Sequence, residues 1–194
     1  MIKTTRMLVE EMDRYRYPMN RISRLVQQGK LYPIVRGLYE TDAATPGYLL
    51  AGSIYGPSYL SFDFALAYYQ LIPELVQEFS SATIDKNKRA RFSTPFGVFS
   101  YRNVPSRAYP AGIRLVQEGA YSYLIADAEK AICDKLYTLP PNVSKRGLET
   151  LLFEDLRIDP ETFEKLESQK LEAYAGLYRS RTLKLFTRWL EGKG

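Results

Sequence analysis

Asn20, Arg21, Arg24, Gln27 and Gln28 are the residues of this 194-residue chain whose types and spacing best suit one class of partner. Arginine donates a fork of hydrogen bonds that matches the guanine edge in the major groove of DNA, and Asn and Gln match the adenine edge. Arg21, Arg24 and Gln28 stand at i, i+3 and i+7, which a helix brings to one face. Ile22, Leu25 and Val26 stand at i, i+3 and i+4 and make an apolar stripe on another. Lys30 and Arg36 follow, placed to touch phosphate, where they add affinity and salt dependence but little sequence choice.

Most catalytic chemistry lacks its residues here. The chain has no histidine, which removes Ser-His-Asp and Cys-His catalysis in their usual forms together with histidine-based metal sites. Cys133 is the one cysteine, so no zinc site of four thiolates and no internal disulfide can form, as suits a reducing cytoplasm. It lies beside apolar positions and reads as a small core residue. Neither common phosphate-cradling glycine motif occurs. Asp127, Glu129 and Asp134 form one close acidic group, but on a helix Glu129 points about 140° away from Asp134, so the three cannot converge. No cofactor is expected, and an ordinary hydrolase or metalloenzyme is disfavoured.

The elements that must hold the Asn/Arg/Gln face are short. Thr4–Tyr15 can form a first helix, interrupted by Tyr17-Pro18 because a residue before proline is pushed out of helical geometry. A second helix begins near Pro18–Asn20 and stops at Gly29, which takes the left-handed conformation that ends many helices. Leu31–Val35 and Leu38–Glu40 read as strands joined at Arg36-Gly37. A basic helix beside a two-stranded hairpin has the outline of a winged helix with one helix fewer than usual. Residues 1–36 carry eight bases against three acids, which accounts for the entire net charge of +5. A basic head on a neutral body is the electrostatic footprint of a nucleic-acid binder, although a solvated basic surface looks the same by charge alone.

Pro46-Gly47, Gly52 and Gly56-Pro57 mark a boundary zone, dividing the chain into a head of residues 1–44 and a body of residues 45–194. In the body, Leu49–Ile54 is a short buried element, and Ser61 caps a helix through about Leu71. Phe79–Asp85, Lys88–Thr94, Val98–Val104, Ile113–Glu118 and Tyr121–Ile125 predict an antiparallel sheet of four or five strands. Helices are expected over Ala126–Tyr137 (ended by Pro140-Pro141), Leu148–Leu156, Pro160–Glu167, Leu171–Tyr178 and Arg181–Leu190, the last capped by Ser180. The fold class is thus α+β: a winged-helix-like head, then a larger domain with an antiparallel sheet and a helical C-terminus. Lys86–Arg114 holds seven bases and no acid, either charge that guards edge strands against aggregation or a docking face for an acidic partner. No apolar run approaches the ~20 residues of a membrane span, and the N-terminus lacks the apolar core of a signal peptide.

Three segments, RISRLVQQGKLYPIVRGLYET, YLLAGSIYGPSYLSFDFALAYYQLIP and YLIADAEKAICDKLY, resemble in order the AbiEi-type antitoxins of bacterial abortive-infection toxin–antitoxin systems. The Gly29–Tyr39 hairpin and the A-x-x-E-K-A-x-x-D-K-L run from Ala126 to Leu136 carry the likeness as a pair. The resemblance implies a DNA-binding head, a C-terminal antitoxin domain, a cytoplasmic location and a nucleotidyltransferase-like toxin encoded nearby. It implies an antitoxin that represses its own operon, as a possible homodimer on operator DNA, since one small head binds weakly. For the toxin contact the expected residues are Lys88, Arg89 and Arg91, with Lys130 and Asp134 on the outer side of the Ala126–Tyr137 helix. Two rival readings are an interaction-only antitoxin whose head supports the fold and an atypical kinase acting on the toxin, for which no nucleotide-binding motif is present.

Overall fold

The fold is described from a computed structural model over residues 1–86, 88–140 and 147–192. The head runs β1 (Ile2–Thr4), α1 (Thr5–Glu11), α2 (Pro18–Gln27), β2 (Tyr32–Val35) and β3 (Leu38–Glu40). Its strands form an antiparallel sheet in the order β1-β3-β2. Thr4 ends β1 and caps α1, its hydroxyl accepting from the Met7 N–H at 3.2 Å. α1 stops at Glu11, short of the expected Tyr15. There the chain tightens into turns, with Met12 N bonding Val9 O and Tyr15 N bonding Met12 O ahead of Pro18.

Strand alternation gives the head sheet two destinations. Leu8, Ile22 and Leu31 form a small core, with Tyr39, Leu25 and Val26 packed against it. Ile34 instead joins the main core of the body, with Ile2 and Leu38 packed alongside, and β2 lies against strand β6 (Ala90–Thr94). Glu40 is fully buried on this same side. It accepts from the Thr41 N–H at 2.7 Å, the Asp42 N–H at 3.2 Å and the Met1 amino group. Burial alone would raise its pKa, but these donors and the Met1 charge outweigh it and hold the carboxyl below the ordinary value.

The body sheet corrects the antiparallel expectation. With β4 (Ser58–Leu60), β5 (Glu78–Thr83), β7 (Gly97–Asn103), β8 (Ile113–Glu118) and β9 (Tyr121–Ala126), it has six strands in the order β6-β7-β5-β4-β9-β8. It is mixed: β5 runs parallel to β7 and β4 parallel to β9, while the other pairs are antiparallel. A 3-10 turn (Gly47–Leu50) and α3 (Ala51–Ile54) occupy the boundary zone. The helices are α4 (Phe62–Tyr68), α5 (Ala128–Tyr137), α6 (Gly147–Glu149) running into a π-helical turn (Thr150–Asp155), α7 (Pro160–Glu164), α8 (Ser168–Ala175) and α9 (Arg181–Glu191). Pro141, expected to help end the helix before it, and Asn87, expected in a turn, lie outside the described residues.

Asp159 caps α7 as its sequence predicts, accepting from the Thr162 N–H at 2.7 Å. Ser61 and Ser180 occupy N-cap positions without making the side-chain bond. The Ser61 hydroxyl is turned inward instead. It donates to Asp134 Oδ2 at 2.7 Å, and the next residue, the buried Phe62, takes a left-handed φ of 54°. That conformation is strained for a bulky side chain and persists only where packing enforces it.

Candidate nucleic-acid interface

α2 is positioned by its apolar stripe and its ends. Ile22 is buried between Leu8 and Leu31, and Pro18 occupies the first turn, where a missing N–H costs nothing. At the far end Gly29 has φ 64°. The Gly29 N–H bonds Val26 O at 3.0 Å and the Lys30 N–H bonds Leu25 O at 2.9 Å, the paired closure that satisfies the last carbonyls of a helix. The opposite side is open: Asn20, Ser23, Arg24, Gln27 and Gln28 are exposed, and Arg21 is half-buried. Asn20, Arg24 and Gln27 lie together at helical spacing, with Arg21 and Gln28 on one flank. Lys30 is exposed just beyond the helix, and Arg36 is exposed at the hairpin turn with Gly37 at φ 82°.

Most cations of the head have no acidic partner among the described residues. Lys3 is paired with Glu11 and Arg6 with Glu10. Arg14, Arg16, Arg21, Arg24, Lys30 and Arg36 have no ion pair among the described residues, so six cations remain for an external anion.

Sequence reasoning missed the turn leading into α2. Tyr15 and Tyr17 are 51% and 61% exposed, unusual for large rings that have a core within reach. The Arg21 guanidinium sits 5.5 Å from the centre of the Tyr15 ring, and that of Arg16 sits 5.4 Å from the Tyr17 ring. Stacking on a ring stiffens an arginine that would otherwise lose entropy on binding. The alternation Arg14-Tyr15-Arg16-Tyr17 was the available signal.

The residues assigned to a protein partner separate into three groups. Lys88 and Arg89 are exposed and border a cavity. Arg91 is exposed but paired with Glu78 at 3.2 Å. Lys130 and Asp134 are both fully buried and cannot meet a partner; this corrects the expectation. α5 is covered on nearly all sides, so its polar stripe faces the interior.

There Asp134 gathers four donors. Lys130 Nζ reaches Oδ1 at 2.9 Å and Tyr178 OH reaches the same oxygen at 2.5 Å. Tyr59 OH and Ser61 Oγ reach Oδ2 at 3.0 and 2.7 Å. Lys130 also donates to the Tyr178 oxygen. Burial, and then the Asp134 charge, hold the Tyr59 and Tyr178 phenols well above their ordinary pKa, so both remain donors. The cluster ties β4, the start of α4, α5 and the segment after α8 together. The other acids of this helix are also engaged. Asp127 caps α5 through the Lys130 N–H at 2.8 Å, and Glu129 accepts from the Glu167 N–H at 3.2 Å. Burial pushes the Cys133 thiol up and the Asp127 carboxyl up. Among the described residues no three His, Cys, Asp or Glu side chains come together as a metal-ligand group, and no helix is long and apolar enough to cross a membrane. Compared with protein-family models and with curated proteins, the chain matches none.

Proposed function

We propose that this protein is a DNA-binding antitoxin that represses its own operon through the head and neutralises a nucleotidyltransferase-like toxin. The observation that carries the DNA-binding part is the open Asn20/Arg24/Gln27 face of α2, flanked by Arg21 and Gln28 and surrounded by unpaired cations. The order strand–helix–helix–strand–strand, with the first strand pairing the last, supports reading the head as a winged helix without its first helix. In this reading α2 enters the major groove, Arg21 and Arg24 read guanine, and Asn20, Gln27 and Gln28 read adenine. Lys30 and Arg36 hold phosphate, as do Arg14 and Arg16 from the preceding turn. The antitoxin part rests on the sequence resemblance alone.

A gel shift with the DNA upstream of the chain's own gene tests the first part. Arg21→Ala/Arg24→Ala should weaken binding by about tenfold or more, since each bidentate base contact is worth about 1–3 kcal/mol. Equal binding by both proteins would refute the assignment of α2. Co-expression with the product of the adjacent reading frame tests the second part: growth should be restored by the full chain. Restoration without any operator binding would leave the interaction-only reading. Point variants suit this test better than removing residues 1–44, because deletion would strip Ile2, Ile34 and Leu38 from the body core.

A further inference from the structure

We propose that the cavity at the β5–β6 turn binds a nucleoside di- or triphosphate. Lys86, Lys88, Arg89 and Arg102 border it, and Asn103 of β7 with Tyr137 and Thr138 at the end of α5 complete its lining. Its volume of about 400 Å³ is of the size that takes a small ligand. Among the described residues none of the four cations has a salt bridge and no carboxylate lines the cavity. Asp85, the nearest acid along the chain, accepts from Ser106 Oγ at 3.1 Å. Four like charges converging on one concavity repel each other, and a multiply charged anion relieves that repulsion.

The site is also braced. Asn103 on β7 accepts from Thr83 Oγ1 at 2.8 Å and from the Lys86 N–H at 3.2 Å, and donates back to the Lys86 carbonyl. One side chain thus fixes the Lys86 backbone against β5 and β7. The Lys86 ammonium lies 4.9 Å from the centre of the Tyr55 ring, which holds it in place without neutralising it. Two guanidinium groups offer bidentate bonds to adjacent phosphates, and ammonium groups add point charge. Tyr137, half-buried with its ring 5.4 Å from that of Tyr178, is the aromatic residue in the lining and the one a base would meet. Phosphates pair with the cations and the base with the ring, which distinguishes a nucleotide from a bare anion or an acidic peptide.

Calorimetric titration of the full chain at low salt with ADP, inorganic pyrophosphate and hexaglutamate tests the proposal. ADP should bind saturably at one site, and Arg102→Glu and Lys88→Glu should each weaken it by about tenfold or more, since charge reversal replaces an attraction with a repulsion. Both side chains are exposed, and circular dichroism checks that each variant is folded. Arg21→Ala/Arg24→Ala should bind ADP like the wild type, which keeps this result separate from DNA binding. The proposal is overturned if ADP does not bind, if the charge reversals leave it unchanged, or if pyrophosphate binds as tightly. Hexaglutamate binding as tightly as ADP would also overturn it, making the cavity part of a docking face for an acidic polypeptide.

Discussion

Replacing Asp134 with alanine removes the one acceptor shared by four buried donors. Lys130 Nζ, Tyr178 OH, Tyr59 OH and Ser61 Oγ all lie within 3.0 Å of its carboxylate, and both members of the ion pair are fully buried. Breaking a buried pair from one side costs about 3–5 kcal/mol, because the remaining charge is stranded. Unpaired hydroxyls add to this, though not independently. For Asp134→Ala we therefore expect about 5 kcal/mol, a third or more of the ~5–15 kcal/mol that holds a typical domain together. Lys130→Met is gentler. It leaves the carboxylate with three hydroxyl donors, so a loss of about 3 kcal/mol is expected. Urea unfolding followed by tryptophan fluorescence measures both, and at about 2 kcal/mol per molar the midpoints should fall by roughly 2.5 M and 1.5 M. The exposed Arg6–Glu10 pair is the control: Arg6→Ala should change stability by under about 0.5 kcal/mol. The reasoning fails if Asp134→Ala costs under about 1 kcal/mol, or if Lys130→Met costs more than Asp134→Ala.

Other outcomes follow from single features. Raising the pH should unfold the protein cooperatively rather than titrate its buried tyrosines one by one. Burial raises the phenols of Tyr59, Tyr101 and Tyr178, and pushes Tyr174 up to about 12. Each holds its proton more tightly folded than unfolded, so its stabilisation is complete below the unfolded value of about 10 and is lost as pH rises above it. The phenolate absorbance that comes from these rings should therefore appear together with the loss of circular dichroism, and full tyrosine ionisation of a folded chain would contradict this. Gly47→Ala should cost about 3 kcal/mol or more, since an added Cβ would stand 2.2 Å from the Phe79 ring and 2.3 Å from the Phe96 carbonyl. Gly52→Ala in α3 meets nothing within 4 Å and should stabilise by up to about 1 kcal/mol, a contrast that thermal melts can read. In the head, Ile22→Ala should cost about 3 kcal/mol through the small core, whereas Arg24→Ala should leave stability within about 0.5 kcal/mol and act only on DNA binding.

Elements with local signals were legible. The hairpin strand Ile113–Glu118 has its expected bounds, Gly29 ends α2, and Asp159 caps α7. The three-residue strands β1 and β4 were not, because, unlike the equally short β3 beside its Arg36-Gly37 turn, they have no adjacent hairpin and their pairing partners lie far along the chain. β4 becomes a strand only between β5 and β9, and its parallel pairing with β9, together with that of β5 with β7, makes the sheet mixed. Lys130 and Asp134 were misplaced for a related reason. A polar stripe on a helix normally faces water, but Tyr59, Ser61 and Tyr178 arrive from three other segments to satisfy this one inside. The α2 face could be read because its residues share one helix. Arg102 and Tyr137 could not be connected to Lys88, since only the fold brings a strand, a turn and a helix end to one cavity.

The two-sided head sheet also sets an order of events during synthesis. Ile34 and Leu38 leave the ribosome early, yet the core that covers them includes Phe99 and Tyr101 and the strand β6 against β2. Until those later residues emerge, the hairpin carries a bare apolar face, and the helices on its other side have only Leu8, Ile22 and Leu31 to hold them. Domains form as units during translation, and a nascent head of this kind stays half-clad until the sheet behind it closes. A prematurely terminated chain that ends before β6 would thus contain every residue of α2 and still lack the rigid backing that presents it. Closure of the body sheet becomes, in effect, a precondition for a rigid α2 face.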